Sequence, residues 1–508
     1  MKKIILIISC LFTCFCIYFM MLDDSNTIMG VQTINQNNIK SDLFVGREKS
    51  NIEIVLEYEN EIIPYVKHMD VYLLSQSMDI NNYQGRITNF QNYEMYIITP
   101  QFKKQEIIKN NIPLQIVVYN DKYYDIKNII ISGLPIVSLN QEFVDEDNYF
   151  GNMKIIDNSA SGRKNVIEVN NIQCRYHYRG GSSLGSSKRS YKINLLDKKL
   201  KAKKKSLLNM RDDNDWILNP LYLDNSYMRE KIGYDIWNNL SDKFQHQMKY
   251  VELIVDGNYQ GIYCLQEPVD MKTFSTNKEN SFLISIKNWA DTIENKFLFN
   301  DNVIEQIYKN NMIVDEFEIE SFKDDEIIKV IELIRVLKSN MNNSNYTCKY
   351  TLLYNRENHV DYGLFLDMTM AMDNNYKNQK ISIKKTTKNT YTIYKTPWDL
   401  DISFLNENTS KWNPNISIHI IDRVYNNFSN DVFLPDMKIK YFQSRDKFYN
   451  EEYLHSLIDE YQNLLISSGA IQRESEKWPK RDFNESCQYL KDVISQRINA
   501  LDEFYGGV

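Results

Sequence analysis

Two carboxylates and an amide set the chemistry open to this chain. Asp373 and Asn378 stand five positions apart after a largely apolar segment, and a second acidic pair, Asp399 and Asp401, follows in T-P-W-D-L-D. Such a set suits phosphoryl transfer. One carboxylate, Asp373, would accept or orient a hydroxyl proton. The amide oxygen of Asn378 and the carboxylate of Asp399, with Asp401 beside it, would hold Mg²⁺ against nucleotide phosphates.

The elements that must position these groups can be read around them. Residues 361–372 read as a helix delivering Asp373. Ile381 to Lys385 and Tyr391 to Tyr394 alternate as two strands, with Lys388-Asn389 near the turn between them. The hairpin carries the chain from the first acid to the second. Protein kinases share this order: a catalytic-loop Asp, an Asn five residues on, and a metal-binding Asp beyond a hairpin. The His and Arg of the kinase H-R-D are replaced by Ala371 and Met372, and the Phe and Gly of D-F-G are absent.

Upstream, Arg179-Gly180-Gly181-Ser182-Ser183-Leu184-Gly185 lies between two strand-like runs. Backbone N–H groups and the hydroxyls of Ser182 and Ser183 in such a loop can point at phosphate oxygens. In the run that follows, Tyr191, Ile193 and Leu195 alternate with Lys188, Ser190, Lys192 and Asn194. Lys188 and Lys192 would then face phosphates from the side away from the core. Next, Asp224, Asn225 or Ser226 offers a cap to a helix whose Met228, Ile232, Ile236 and Leu240 form one apolar face. Arg229 sits beside that face and Glu230 on a neighbouring one. Two strands around Asp256-Gly257 end at Gln266-Glu267.

Taken together, R-G-G-S-S…K-R-S-Y-K-I, W-I-L-N…Y-M-R-E, V-E-L-I-V-D-G-N-Y-Q-G-I-Y-C-L-Q-E and P-W-D-L-D closely resemble the spore coat protein H (CotH) kinase family, from about residue 134 to the C-terminus. The resemblance implies an atypical protein kinase that uses ATP with Mg²⁺ or Mn²⁺ to phosphorylate serine in spore coat or surface proteins. By position it implies Asp373 as the catalytic Asp, and Asn378 and Asp399, with Asp401 beside it, as metal ligands. Lys188 matches the lysine after the Ser-rich loop, Arg229 the helix Arg and Glu267 the hairpin-end Glu, which the resemblance places around the nucleotide. The alternative is a catalytically silent kinase-like body used for structural or adhesive assembly.

The rest of the chain supplies context. A length of 508 residues allows two or three domains, and 43% apolar with 25% charged residues is ordinary for a globular protein. A formal charge of −7 argues against a nucleic-acid partner. Three of the seven cysteines fall in the N-terminal run; Cys174, Cys264, Cys348 and Cys487 are scattered and read as buried free thiols, with two disulfides as the alternative. Met1-Lys2-Lys3 precedes an uncharged run at residues 4–22, long enough to cross a bilayer and lacking a small-residue cleavage site. The expectation is a signal-anchor placing the body outside the cytoplasm or at the spore or cell surface; secretion after signal cleavage is the alternative.

The organisation expected is therefore a signal-anchor or signal peptide at 1–22, a linker at 23–45, a β-rich region at 46–133 and a CotH kinase-like domain at 134–508. The β-rich region reads as a small antiparallel sandwich. The kinase-like domain divides into an N-lobe to about residue 267 and a C-lobe from 268, with amphipathic helices at residues 325–341, 431–447, 453–466 and 484–504. The fold class expected is α+β: a bilobal, atypical protein-kinase-like fold after a sandwich-like domain and a transmembrane helix.

Overall fold

The computed structural model describes residues 27–30, 32–35, 41–58, 61–78, 83–87, 93–157, 167–180, 182–286, 313–314, 317–321, 329–330, 332–334, 336–337, 349–376, 378–406, 430–479 and 482–506. The apolar run at 4–22 lies outside the described residues, as does Cys348. Among the described residues no helix is long and apolar enough to cross a membrane.

Alternating apolar residues build the first region. Ile54, Leu56 and Tyr58 of the strand Ile54–Tyr58 are buried while Val55 and Glu57 are not, the period of two that a half-covered strand requires. The strand belongs to a four-stranded sheet, and a larger sheet centred on Leu114–Tyr119 and Tyr123–Ser132 shares its core through Leu73, Ile97, Ile116 and Ile129. The larger sheet is mixed and not the antiparallel arrangement expected. Tyr123–Ser132 runs parallel to Val71–Ser75, and Gln32–Asn35 runs parallel to Glu94–Thr99. A short helix, α1 (Lys104–Lys109), joins the antiparallel neighbours Glu94–Thr99 and Leu114–Tyr119.

The next seven strands close on themselves. In spatial order they are Ile136–Asp145, Asn148–Ile156, Ile167–Arg179, Ser190–Leu195, Asp215–Asn219, Asn258–Gln266 and Met248–Val255, and the last pairs in parallel with the first. Closure leaves no edge to protect. The interior is filled by Val137, Leu139, Met153, Ile193, Leu195, Trp216, Leu218, Leu253, Tyr263 and Leu265.

Helix α2 (Arg229–Leu240) leaves the barrel and packs on α3 (Arg356–Thr369), where Trp237 meets Phe365 edge-on at 5.5 Å. Each fully buried aromatic or aliphatic side chain here contributes roughly 1.5–3 kcal/mol, and α3 has no exposed residue from Asn358 to Thr369. That all-round burial explains why its sequence shows no polar stripe. Around it lie α5 (Asn430–Arg445), α6 (Glu451–Ser467), α7 (Ala470–Lys477) and α8 (Phe483–Gly506), sharing one apolar core with α2 and α3. A six-stranded sheet flanks this bundle and contains the hairpin Gln379–Lys385 with Thr390–Pro397. Within residues 325–341 the described positions are helical, and Val330, Leu333, Ile334 and Leu337 are buried against that sheet.

The fold is thus mixed α and β. Cys174, Cys264 and Cys487 are buried free thiols.

Candidate active site

The site begins where α3 stops. Asn355 caps the start of α3 by accepting the Asn358 N–H, and Met370 ends it in the left-handed conformation with φ of +50°. After Ala371 and Met372 the chain forms one short helical turn, α4 (Asp373–Tyr376), so Asp373 is delivered at its first position. Asn374 holds that turn in place. Its Nδ2 donates to the Asn378 carbonyl at 2.9 Å and to the Trp398 carbonyl at 2.6 Å, tying the loop to the segment that carries Asp399. The Trp398 N–H donates to the Asn378 carbonyl at 3.1 Å, completing the tie.

The backbone here passes repeatedly through the left-handed region. Asn378 and Asp399 both lie at positive φ (+53° and +63°), as do Phe404 and Leu405. Asn and Asp enter that region at lower cost than other residues, whereas Phe and Leu do so only when packing over-determines them. Phe404 is fully buried, and its N–H donates to the Thr369 carbonyl at 2.8 Å.

The strained turns bring the predicted acids together. Asn378 Nδ2 lies 3.4 Å from Asp373 Oδ2. Asp373 is buried, Asp399 is exposed and Asp401 is half-buried. Burial holds the Asp401 carboxyl well above the usual range, and Asp399, Glu230, Asp373 and Asp224 push it in the same direction. Glu230, in the first turn of α2, is fully buried and is raised to about 8, by burial first and then by Asp399, although Asn219 Nδ2 donates to it at 2.6 Å.

Four carboxylates therefore converge from α2, α4 and the 399–401 turn, with Asp224 ahead of α2 adding to the repulsion. Oxygen donors of this kind suit a hard divalent cation such as Mg²⁺ or Mn²⁺, which would relieve the mutual repulsion. Among the described residues no three of His, Cys, Asp or Glu already stand at metal-ligating spacing, so the fit is one of donor chemistry and charge.

Other expected site residues fall elsewhere. Lys188 does not face the acids. It precedes the strand Ser190–Leu195 and turns inward, fully buried, donating to the Ile262 carbonyl and to Glu474 Oε1, both at 2.6 Å. Alternation within the strand placed it on the outer face, but the strand starts two residues later, so the pattern does not reach it. Arg229 is also fully buried; it bonds the Asp224 carboxylate, which in turn accepts the Met228 and Arg229 amides at 2.8 and 2.7 Å and caps α2. Glu267 accepts the Arg211 amide at 2.8 Å and the Gln247 amide at 3.3 Å, and so braces the exit from the barrel. Ser182 and Ser183 begin a short 3₁₀ turn, Ser182–Gly185, but their side chains lie outside the described residues.

Lys192 stays on the outer barrel face. It pairs across the sheet with Ile217, which pairs with Gln266, and Gln266 hydrogen-bonds Glu230. Two strand spacings of about 4.8 Å put Lys192 roughly 10 Å from Gln266 on the same face.

Three contributors were not assigned roles from sequence. Glu230, in Y-M-R-E, and Asn374, next to Asp373, carry no signal that distinguishes them from a helix surface acid and a loop amide. Arg179, before Gly180, places its guanidinium 5.1 Å over the Trp398 ring and near Glu230. A cavity of about 850 Å³ opens elsewhere, between the first sheets and the barrel, and none of the acids lines it.

A family model described as CotH kinase protein matches residues 176–501, which contain every carboxylate of the cluster. No curated protein matches the chain.

Proposed function

The chain belongs to the CotH kinase family, and from that premise we propose that it is an ATP-dependent protein kinase transferring the γ-phosphate to serine of a coat or surface protein. The observation that carries this reading is the meeting of the Asn378 amide with the Asp373 carboxylate at 3.4 Å, beside Asp399, Asp401 and Glu230. In it the barrel and the helical bundle act as two lobes, with the nucleotide between them.

Asn378 and Asp399, with Asp401, would hold the metal. A bound Mg²⁺ or Mn²⁺ supplies neutralisation of phosphate charge. Asp373, buried yet at the first position of its helical turn, orients the serine hydroxyl and accepts its proton. Lys192 meets the phosphates from the barrel side. Asn374 keeps the two acidic segments in register, which matters because phosphoryl transfer depends on positioning more than on covalent chemistry.

Transfer from γ-labelled ATP to the protein itself, or to a Ser-rich peptide, tests this. Transfer is expected with Mg²⁺ or Mn²⁺ and is lost in Asp373→Ala and Asp399→Ala proteins with unchanged melting curves. Undiminished transfer in both variants would overturn the residue roles, and no transfer by the wild type would leave an assembly role. The apolar run at 4–22 we assign to membrane anchoring, with protease accessibility of the body in intact cells as its test.

A further inference from the structure

We propose that the chain assembles head to tail with copies of itself: the acidic tip of a barrel hairpin docks on a lysine-rich loop at the opposite end of the next copy's barrel.

The hairpin joins Ile136–Asp145 to Asn148–Ile156. Ile136 to Leu139 pair with Met248–Val255, but that pairing goes no further, and every residue from Asn140 to Asp147 is exposed. Phe143 stacks on Phe150 across the ribbon at 4.8 Å and is still 48% exposed. Val144, next in the strand and so on the other face, is 50% exposed. Glu142, Asp145, Glu146 and Asp147 flank these apolar groups. The ribbon therefore offers apolar side chains on both faces, an open strand edge and a negative tip, which together mark a contact surface.

The loop has the complementary character. Six of the eight residues from Lys198 to Lys205 are lysine, in a chain whose formal net charge is −7. At its crest Leu200 is 53% exposed and left-handed, with φ of +58°. Asp197 holds it there: the carboxylate accepts the Lys199 and Lys201 amides at 2.8 and 3.0 Å, and the carbonyl accepts the Leu200 amide at 2.9 Å. An apolar knob is thus presented to water inside a basic ring. It matches the hairpin tip in both charge and apolar content.

One copy cannot close this contact on itself. The lysine loop leaves from Leu195, which lies opposite Cys174, and the Leu196 amide donates to the Gln173 carbonyl. Gln173 in turn lies opposite Asn152, about 17 Å along the strand from Asp147. From there the loop and the hairpin tip extend in opposite directions. Two unlike surfaces at opposite ends make a heterologous contact, which propagates into chains or closes into rings.

Sedimentation velocity of the full chain in non-ionic detergent, over a range of concentrations at low and high salt, tests this. At low salt the mean mass is expected to grow past the dimer, and at high salt to return toward the monomer as exposed charges are screened. A protein with Lys198→Glu, Lys199→Glu, Lys201→Glu and Lys203→Glu combined should stay monomeric, as should one with Asp145→Lys, Glu146→Lys and Asp147→Lys. An equimolar mixture of the two should assemble, because each supplies the sign the other lacks. Leu200→Ser should weaken assembly about tenfold or more. A wild type that stays monomeric at low salt would overturn the proposal. Equal assembly in all the proteins would overturn it too, placing the contact on another surface, as would a mixture that fails to assemble.

Discussion

Lys188 Nζ and Glu474 Oε1 lie 2.6 Å apart with neither side chain exposed, joining residues 286 positions apart in the chain. Burial pulls the Lys188 ammonium below its usual pKa, while Glu474 works against that fall. One residue before Glu474, Arg473 makes a second buried pair, donating to both oxygens of Glu252 at 2.8 and 2.7 Å. Two buried pairs thus pin α7 to the barrel wall. The lysine of the Gly/Ser loop serves architecture, fixing how the last helices sit against the first half of the domain.

Breaking one partner of a buried pair leaves a desolvated charge and costs about 3–5 kcal/mol. Lys188→Met is expected to lower the unfolding free energy by that amount in denaturant melts. Adding Glu474→Gln, which keeps an oxygen for the Ile262 N–H it accepts at 2.7 Å, should restore most of the loss. A Lys188→Met protein as stable as wild type would show that the pair contributes nothing.

Gly261 tests the same junction from the barrel side. Its φ is +97°, and a Cβ there would stand 1.9 Å from Glu474 Oε2. Gly261→Ala should destabilise by at least about 2 kcal/mol, through backbone strain and displacement of Glu474. A shift of midpoint without that loss would mean α7 moves aside freely.

Asn374 offers a separation of positioning from chemistry. Asn374→Ala removes both ties to the Asn378 and Trp398 carbonyls. Stability should fall by about 1–3 kcal/mol, and kcat by about tenfold or more with KM for ATP little changed. A rise in KM alone would place Asn374 in nucleotide binding instead.

Metal dependence should split the acids. Asp399→Asn is expected to raise the Mg²⁺ or Mn²⁺ concentration for half-maximal transfer about tenfold or more, whereas Asp373→Asn lowers kcat at an unchanged metal requirement. Identical metal titrations for the two variants would contradict the division of roles.

Lys395 gives a pH signature. It is buried beside Tyr354 and Tyr362, with its ammonium 5.7 and 5.5 Å from their rings, and burial lowers it from 10.5 to about 8. Between pH 8 and 10.5 the unfolded chain keeps a proton that the folded chain has released, so this group's contribution to stability rises with pH across that window and is lost as pH falls through 8. The shift corresponds to about 3 kcal/mol. Lys395→Met should therefore be more stable than wild type at pH 7, by about 2 kcal/mol after loss of the ring contacts, with the advantage shrinking as pH rises above about 8 and gone by about pH 10. An advantage independent of pH would locate the effect in packing alone.

What the sequence by itself determined was local and periodic. The hairpin ahead of Asp399, the helix ahead of Asp373, the α2 face of Met228, Ile232, Ile236 and Leu240, and helices α5, α6 and α8 all follow from apolar spacing, which a single element imposes on its own residues; α7 was not read from the sequence. Asp373, Asn378 and Asp399 were legible because their spacing is set by one loop and one hairpin. Tertiary structure alone decided which partner each charge met. Nothing near Lys188 announces Glu474, nothing near Arg179 announces Trp398, and no alternation shows that seven strands close into a barrel or that Tyr123–Ser132 runs parallel to Val71–Ser75. Those outcomes depend on desolvation and on contacts between residues hundreds of positions apart, where the energy of a charge belongs to the fold around it and not to the segment that carries it.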